Sequence, residues 1–143
     1  MSLDNAGMLQ GWDRVSEPDV KCSKAFLDSY IKSGKIKPGK SIDCGGGIGR
    51  VSKEVLVNFF EAVDIVDQAA NSIKKAKESI TSPNMRNFYV SGLQDFVFED
   101  KYDCIWIQWI FTHITDEDCI KFLIKSKANL AEGVSGRSFI GRV

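Results

Sequence analysis

Lys40-Ser41-Ile42-Asp43-Cys44-Gly45-Gly46-Gly47-Ile48-Gly49-Arg50-Val51 decides the fold. A short apolar run enters a glycine turn, and an amphipathic segment, Val51 to Phe60, leaves it. Glycines at alternate positions remove the β-carbons that would hold a ligand off the backbone, and a following helix would offer unpaired N–H groups to an anion. A dinucleotide fingerprint needs its third glycine three positions after the second; with Gly45 and Gly47 as the first two, that position holds Arg50. Here the third glycine comes early, at Gly49. Gly-x-Gly-x-Gly followed by a cation suits a ligand with a carboxylate and no pyrophosphate, which points to S-adenosylmethionine rather than NAD. The competing reading is a tight strand-to-helix turn whose glycines only satisfy backbone angles.

On either side of the turn the pattern alternates strand and helix. Ser16 and Pro18 open a helix carrying Val20, Phe26, Leu27, Tyr30 and Ile31 at helical spacing, and Gly34 stops it. Val51, Val55, Leu56, Phe59 and Phe60 share one face of the next helix, and Ala62 to Val66 has the β-branching of a buried strand. A helix over Ala69 to Ser79, strands over Asn87 to Val90 and Tyr102 to Gln108, and a helix over Asp116 to Leu130 follow. On that last helix Cys119, Ile120, Phe122, Leu123 and Ile124 are expected on or near the inner side. The succession implies an α/β fold with a doubly wound, mainly parallel sheet and right-handed crossovers.

Composition narrows the function classes. The 143 residues, 43% of them hydrophobic, fit one domain. Lysines plus arginines equal aspartates plus glutamates at 19 each, so no global field favours nucleic acid or an anionic membrane. Cys22, Cys44, Cys104 and Cys119 never form a Cys-x-x-Cys pair, so they read as reduced core thiols rather than a metal site or disulfide framework. No run is long enough to cross a bilayer, and the first residues lack the pattern of a signal peptide, which leads to an intracellular expectation.

In such a sheet, ligands lie outside the carboxyl ends of the strands where the winding reverses. Asp67, 18 residues after Gly49, ends the second strand; it suits both ribose hydroxyls of a nucleoside, and equally a helix cap. Leu93 and Gln94, after the third strand, suit an adenine face and edge. Gln108 and Trp109 end the fourth strand, the next wall of the same cleft, although a buried tryptophan is ordinarily core. His113, the single histidine, lies just beyond, where an imidazole exchanges protons readily near pH 7; a structural loop histidine is the alternative.

Taken together, Gly7-Met8-Leu9-x-Gly11, Asp43-Cys44-Gly45-x-Gly47-Ile48-Gly49-Arg50, Val63-Asp64-x-Val66-Asp67, Gly92-Leu93-Gln94-Asp95-Phe96 and Tyr102-Asp103-x-Ile105-Trp106-Ile107-Gln108-Trp109 followed by His113 resemble the protein α-N-terminal methyltransferases. The Asp-x-Gly-x-Gly-x-Gly turn marks Rossmann-like class I methyltransferases at large, whereas the Gly-Leu-Gln-Asp-Phe and Trp-Ile-Gln-Trp blocks are far more specific to this family. The resemblance implies S-adenosylmethionine as cofactor, S-adenosylhomocysteine as product, and the N-terminal tail of an Xaa-Pro-Lys protein as acceptor, in cytoplasm or nucleus. It implies that Gly45, Gly47 and Arg50 hold the methionine part, Asp67 the ribose, Leu93 and Gln94 the adenine side, and Gln108 the amino-acid end. Trp109 would shape the amine channel and His113 assist deprotonation.

The resemblance divides the chain into an arm (1–17), a family core (18–133) and a divergent tail (134–143), one methyltransferase domain lacking the C-terminal antiparallel strands and much of the peptide groove. Alternatives are a non-catalytic cofactor- or partner-binding form of the same fold, pairing through an exposed sheet edge, and a small-molecule methyltransferase. No metal is expected.

Overall fold

The computed structural model describes residues 13–107, 115–131 and 139–140, with 13–19 and 139–140 as backbone alone. The elements are α1 (Asp13–Lys32), β1 (Lys40–Cys44), α2 (Arg50–Glu54), a 3-10 turn (Leu56–Asn58), β2 (Ala62–Asp67), α3 (Ala70–Ser79), β3 (Met85–Val90), β4 (Cys104–Ile107), α4 (Asp116–Ala128) and β5 (Phe139–Ile140). The sheet order is β3-β2-β1-β4-β5, with every neighbouring pair parallel. From β1 the chain winds outward through β2 and β3, then returns to the other side of β1 for β4. The reversal therefore falls between β1 and β4, as the doubly wound expectation requires.

Strand alternation sends side chains to two helical layers. Ile42 and Cys44 of β1, Val66 of β2, and Ile105 and Ile107 of β4 pack with Leu93, Phe96, Tyr102 and Phe122 of α4. On the opposite face Val63, Cys104 and Trp106 meet Leu27 of α1 with Val55, Leu56 and Phe60, while Ile65 meets Ile73 and Ala76 of α3. Trp106, fully buried, is the largest side chain in this core. At roughly 1.5–3 kcal/mol for each large apolar side chain buried, these two layers fix the strands that carry the polar groups at either end.

Several expectations need correction. The segment after the glycine turn is α2 plus a 3-10 turn, not one helix to Phe60. β-Branched Val51, Val55 and Val57, followed by Asn58, are weak helix formers, and the tighter turn lets adjacent Val55 and Leu56 both be fully buried. The first helix begins at Asp13, three residues before Ser16. On α4, Phe122 is buried, but Ile120 and Ile124 are 58% and 64% exposed, because residues two away on a helix cannot share its inner face. Cys44 and Cys104 are core thiols, whereas Cys22 is exposed and Cys119 half-buried. The sheet also carries a short strand the sequence reading does not anticipate, β5 at residues 139–140, paired in parallel with Cys104 and Ile105.

Candidate functional site

The registers align Cys44 with Val66 on one side and with Ile107 on the other, so the carboxyl ends of β1, β2 and β4 open at one level. The glycine turn sits there, held down by the Gly45 and Gly46 N–H groups, which donate to the Val66 carbonyl at 2.8 and 3.1 Å. Gly45 and Gly47 have φ of 70° and 58°, in the left-handed region that disfavours side chains. Gly46, outside the alternating pattern, answers to packing: a β-carbon there would lie 2.6 Å from Ile65 and 2.9 Å from Asp43 Cγ. The turn thus lies flush on the sheet with three successive residues bare of side chains.

Asp67, at the end of β2, reaches across to this turn. Its Oδ1 accepts from Gly47 N–H at 3.2 Å and its Oδ2 from Ala69 N–H at 2.9 Å. The second bond is a two-residue side-chain turn leading into α3, whose N-cap is Ala69, so Asp67 is not the helix cap itself. Each carboxylate oxygen keeps a further lone pair, enough for a vicinal diol.

Asp43, inside β1, is 3% exposed. Its Oδ2 accepts from Ser52 Oγ at 2.8 Å. Burial pushes its carboxyl up to about 6 from 3.8, with the Ser52 hydrogen bonds opposing and the Asp67 charge adding to the rise. Among the described residues, no cationic side chain forms an ion pair with Asp43 or Asp67. A turn bare of side chains and a carboxylate with lone pairs for a vicinal diol fit a ligand with a ribose whose other end approaches the backbone.

Leu93 is buried and Gln94 exposed, side by side in the loop after β3. Both carbonyls face Lys125 of α4, whose Nζ donates to Leu93 O at 2.9 Å, to Phe96 O at 2.7 Å and, at 3.4 Å, to Gln94 O. Arg50 opens α2, and its Nη1 pairs with Glu54 Oε1 at 3.0 Å, one turn along. Asp67 and Gly47 are thus joined directly, and Leu93 and Gln94 through Lys125, while Arg50 is engaged along its own helix. Gln108, Trp109 and His113 lie outside the described residues. No group of His, Cys, Asp and Glu suited to a metal ion occurs among the described residues.

Two participants escape the sequence reading. Ser52 looks like one polar position of a surface helix, yet it is fully buried as the partner of Asp43. Lys125 looks like a solvated lysine; only the fold brings it over a loop some 30 residues upstream. For Ser52 the one available signal was its place three residues before Val55, and Lys125 had none.

The family described as AdoMet-dependent proline di-methyltransferase matches residues 1–136. An alpha N-terminal protein methyltransferase 1 of Dictyostelium discoideum is 46% identical over 131 residues, 87% of this chain and 48% of that protein. The human N-terminal Xaa-Pro-Lys N-methyltransferase 1 is 40% identical over 129 residues, 87% of this chain and 58% of that one. A SAM-dependent methyltransferase structure from Leishmania major superposes with a TM-score of 0.84 at 27% identity, covering 91% of this chain and 52% of that one. The chain spans about half the length of the curated relatives it matches. With a parallel sheet in the doubly wound order, its glycine turn at the winding reversal, and a family match over nearly the whole sequence, the chain belongs to the AdoMet-dependent proline di-methyltransferase family.

Proposed function

We propose that this chain binds S-adenosylmethionine at the carboxyl end of β1 and β2 and takes part in methylating the α-amine of proteins beginning Xaa-Pro-Lys. The observation that carries the cofactor half is the Asp67 carboxylate bonded to Gly47 N–H beside the buried Asp43. When bound, the cofactor supplies an electrophilic methyl on a sulfonium. Gly45 and Gly47 let its amino-acid part approach the backbone, Asp67 accepts its ribose hydroxyls, and Arg50, at the start of α2 beside the turn, is the cation for its carboxylate. Leu93 covers the adenine and Gln94 reads its edge.

The acceptor half rests on the relatives' activity and on the Trp-Ile-Gln-Trp block. Gln108 closes the amino-acid end, Trp109 walls the amine channel and His113 accepts the amine proton. An α-amine titrates near pH 8, so a weak base suffices and positioning does most of the work. Free cysteines are compatible with the reducing cytoplasm or nucleus. Among the described residues no helix is long and apolar enough to cross a membrane.

Incubation with methyl-labelled S-adenosylmethionine and a Xaa-Pro-Lys peptide tests the reading. Label at the α-amine is expected. Label on a lysine side chain instead defeats the acceptor assignment, cofactor binding without turnover reduces the chain to a binding module, and no binding of S-adenosylhomocysteine defeats the cofactor assignment.

A further inference from the structure

The loop after β3 turns three carbonyl groups, those of Leu93, Gln94 and Phe96, toward one point, where Lys125 Nζ stands. Carbonyl dipoles converging in a partly buried place repel one another unless a cation joins them. An ammonium has three N–H donors and no acceptor, which matches the arrangement one to one. The same Nζ lies 5.6 Å from the centre of the Phe122 ring, whose buried side chain anchors α4 to the sheet. Desolvation lowers the pKa of Lys125, with the Asp95 charge opposing.

The loop has no regular secondary structure; among the described residues its own bonds are local, Asp95 N–H to Gly92 O at 3.1 Å and Ser91 Oγ to Gly92 O at 2.9 Å, Ser91 N–H ties its start to Asp67 O at 3.0 Å, and Gln94 is exposed. Leu93 and Phe96 are buried, which fixes the loop's depth but not the direction in which the Gln94 backbone and side chain face. We propose that Lys125 is a positioning residue for cofactor recognition: by clamping the carbonyls of Leu93, Gln94 and Phe96 it presents the Leu93-Gln94 wall to the base of the bound nucleoside. This rests on the cofactor reading above. It makes the base specificity of the site depend on a side chain of α4 that touches no ligand atom.

The test compares S-adenosylhomocysteine with its inosine analogue, S-inosylhomocysteine, by calorimetry on the full chain and on Lys125→Met and Lys125→Arg. The two ligands differ only at the edge of the base. Wild type should prefer the adenosine ligand; Lys125→Met, which keeps the stem and loses every donor, should lower that preference about tenfold through loss of preorganisation, with little change for the inosine ligand. Lys125→Arg should restore most of the preference, since the guanidinium keeps charge and donors. Should Lys125→Met fail to fold, Lys125→Leu, likewise without a donor, is read in the same way. Equal weakening of both ligands, or an unchanged ratio, overturns the positioning role and leaves the cofactor assignment standing. Failure of wild type to bind either ligand overturns both.

Discussion

Two buried aspartates of this sheet, Asp43 and Asp64, stand one register position apart on opposite faces, with hydrogen-bonding partners that lead toward opposite ends of the strands, and the fold treats them oppositely. Asp64, in β2 toward the amino ends of the strands, is fully buried and saturated. Arg86 Nε and Nη2 donate to its two oxygens at 3.0 and 2.8 Å, Asn87 N–H adds a bond at 2.9 Å and Tyr102 Oη one at 2.6 Å. The network runs on through Asp100 to Lys40. Asp43, toward the carboxyl ends, is as deeply buried but has Ser52 as its hydrogen-bonding partner and a like charge, Asp67, acting on it. The amino end is thus neutralised from within, which makes it part of the scaffold. Among the described residues Asp43 has no such cation, and keeping its buried carboxylate ionised costs stability.

The amino end should break hardest. Arg86→Met leaves Asp64 buried with no cationic partner, and breaking a buried pair by removing one member costs about 3–5 kcal/mol. Chemical denaturation at pH 7 should show that loss. A cost below about 1 kcal/mol would mean that the network is a surface ion pair in energetic effect, and the contrast between the two ends would go.

Asp43 should show the opposite dependence on its own charge. Its folded pKa, about 6, lies above the value of 3.8 it has when free, so between those pH values the folded protein holds a proton that the unfolded chain has released. Stability from this group is therefore full below about pH 4 and is lost as pH rises through 6; the shift corresponds to roughly 3 kcal/mol. Asp43→Asn, neutral throughout, should match wild type near pH 4 and exceed it at pH 7.5. Parallel stability profiles for the two proteins between pH 4 and 7.5 would show that Asp43 is not carrying an uncompensated charge.

These two ends also differ in how far they can be read from the chain. The carboxyl end was legible because its parts are local: alternating glycines, a carboxylate one strand later and an apolar loop after the third strand sit at short, patterned spacings. The strand-helix alternation gave the sheet for the same reason, since periods of two and 3.6 residues survive in any one segment. Asp64 was not legible as a network centre, because its partners Arg86 and Tyr102 are 22 and 38 residues away and meet only through the parallel register. Lys125 and Ser52 were missed on the same ground. β5 was missed because two residues of strand leave no period to detect, and the breakdown of α2 because packing of Val55 and Leu56 overrode a helical pattern that was present in the sequence.

At the carboxyl end, binding reports more than stability does. Asp67→Ala removes the diol acceptor and should weaken S-adenosylhomocysteine by roughly 1.5–3 kcal/mol, the value of charge-assisted hydrogen bonds, in calorimetric titration. The fold should lose some stability as well, since Ala69 N–H is exposed and turns to water while the buried Gly47 N–H is left without its acceptor, so denaturation is measured beside binding. An unchanged affinity would take Asp67 out of the site.

The smallest effect isolates the serine. Ser52→Ala deletes the hydroxyl that donates to Asp43 Oδ2 and leaves the carboxylate with less to oppose desolvation, so the Asp43 pKa should move above 6. At pH 7.5, where Asp43 is ionised, the loss should be about 1.5 kcal/mol, as for a hydrogen bond to a charged group. Near pH 4.5 the carboxyl is protonated in both proteins and the bond is neutral, so the difference should shrink to a few tenths of that. The direction of this pH dependence is what distinguishes Ser52 from an ordinary buried serine, whose removal would cost the same at either pH. A pH-independent loss would show that Asp43 is already protonated at neutrality, and the negative charge at this end of the sheet would then be that of Asp67 alone.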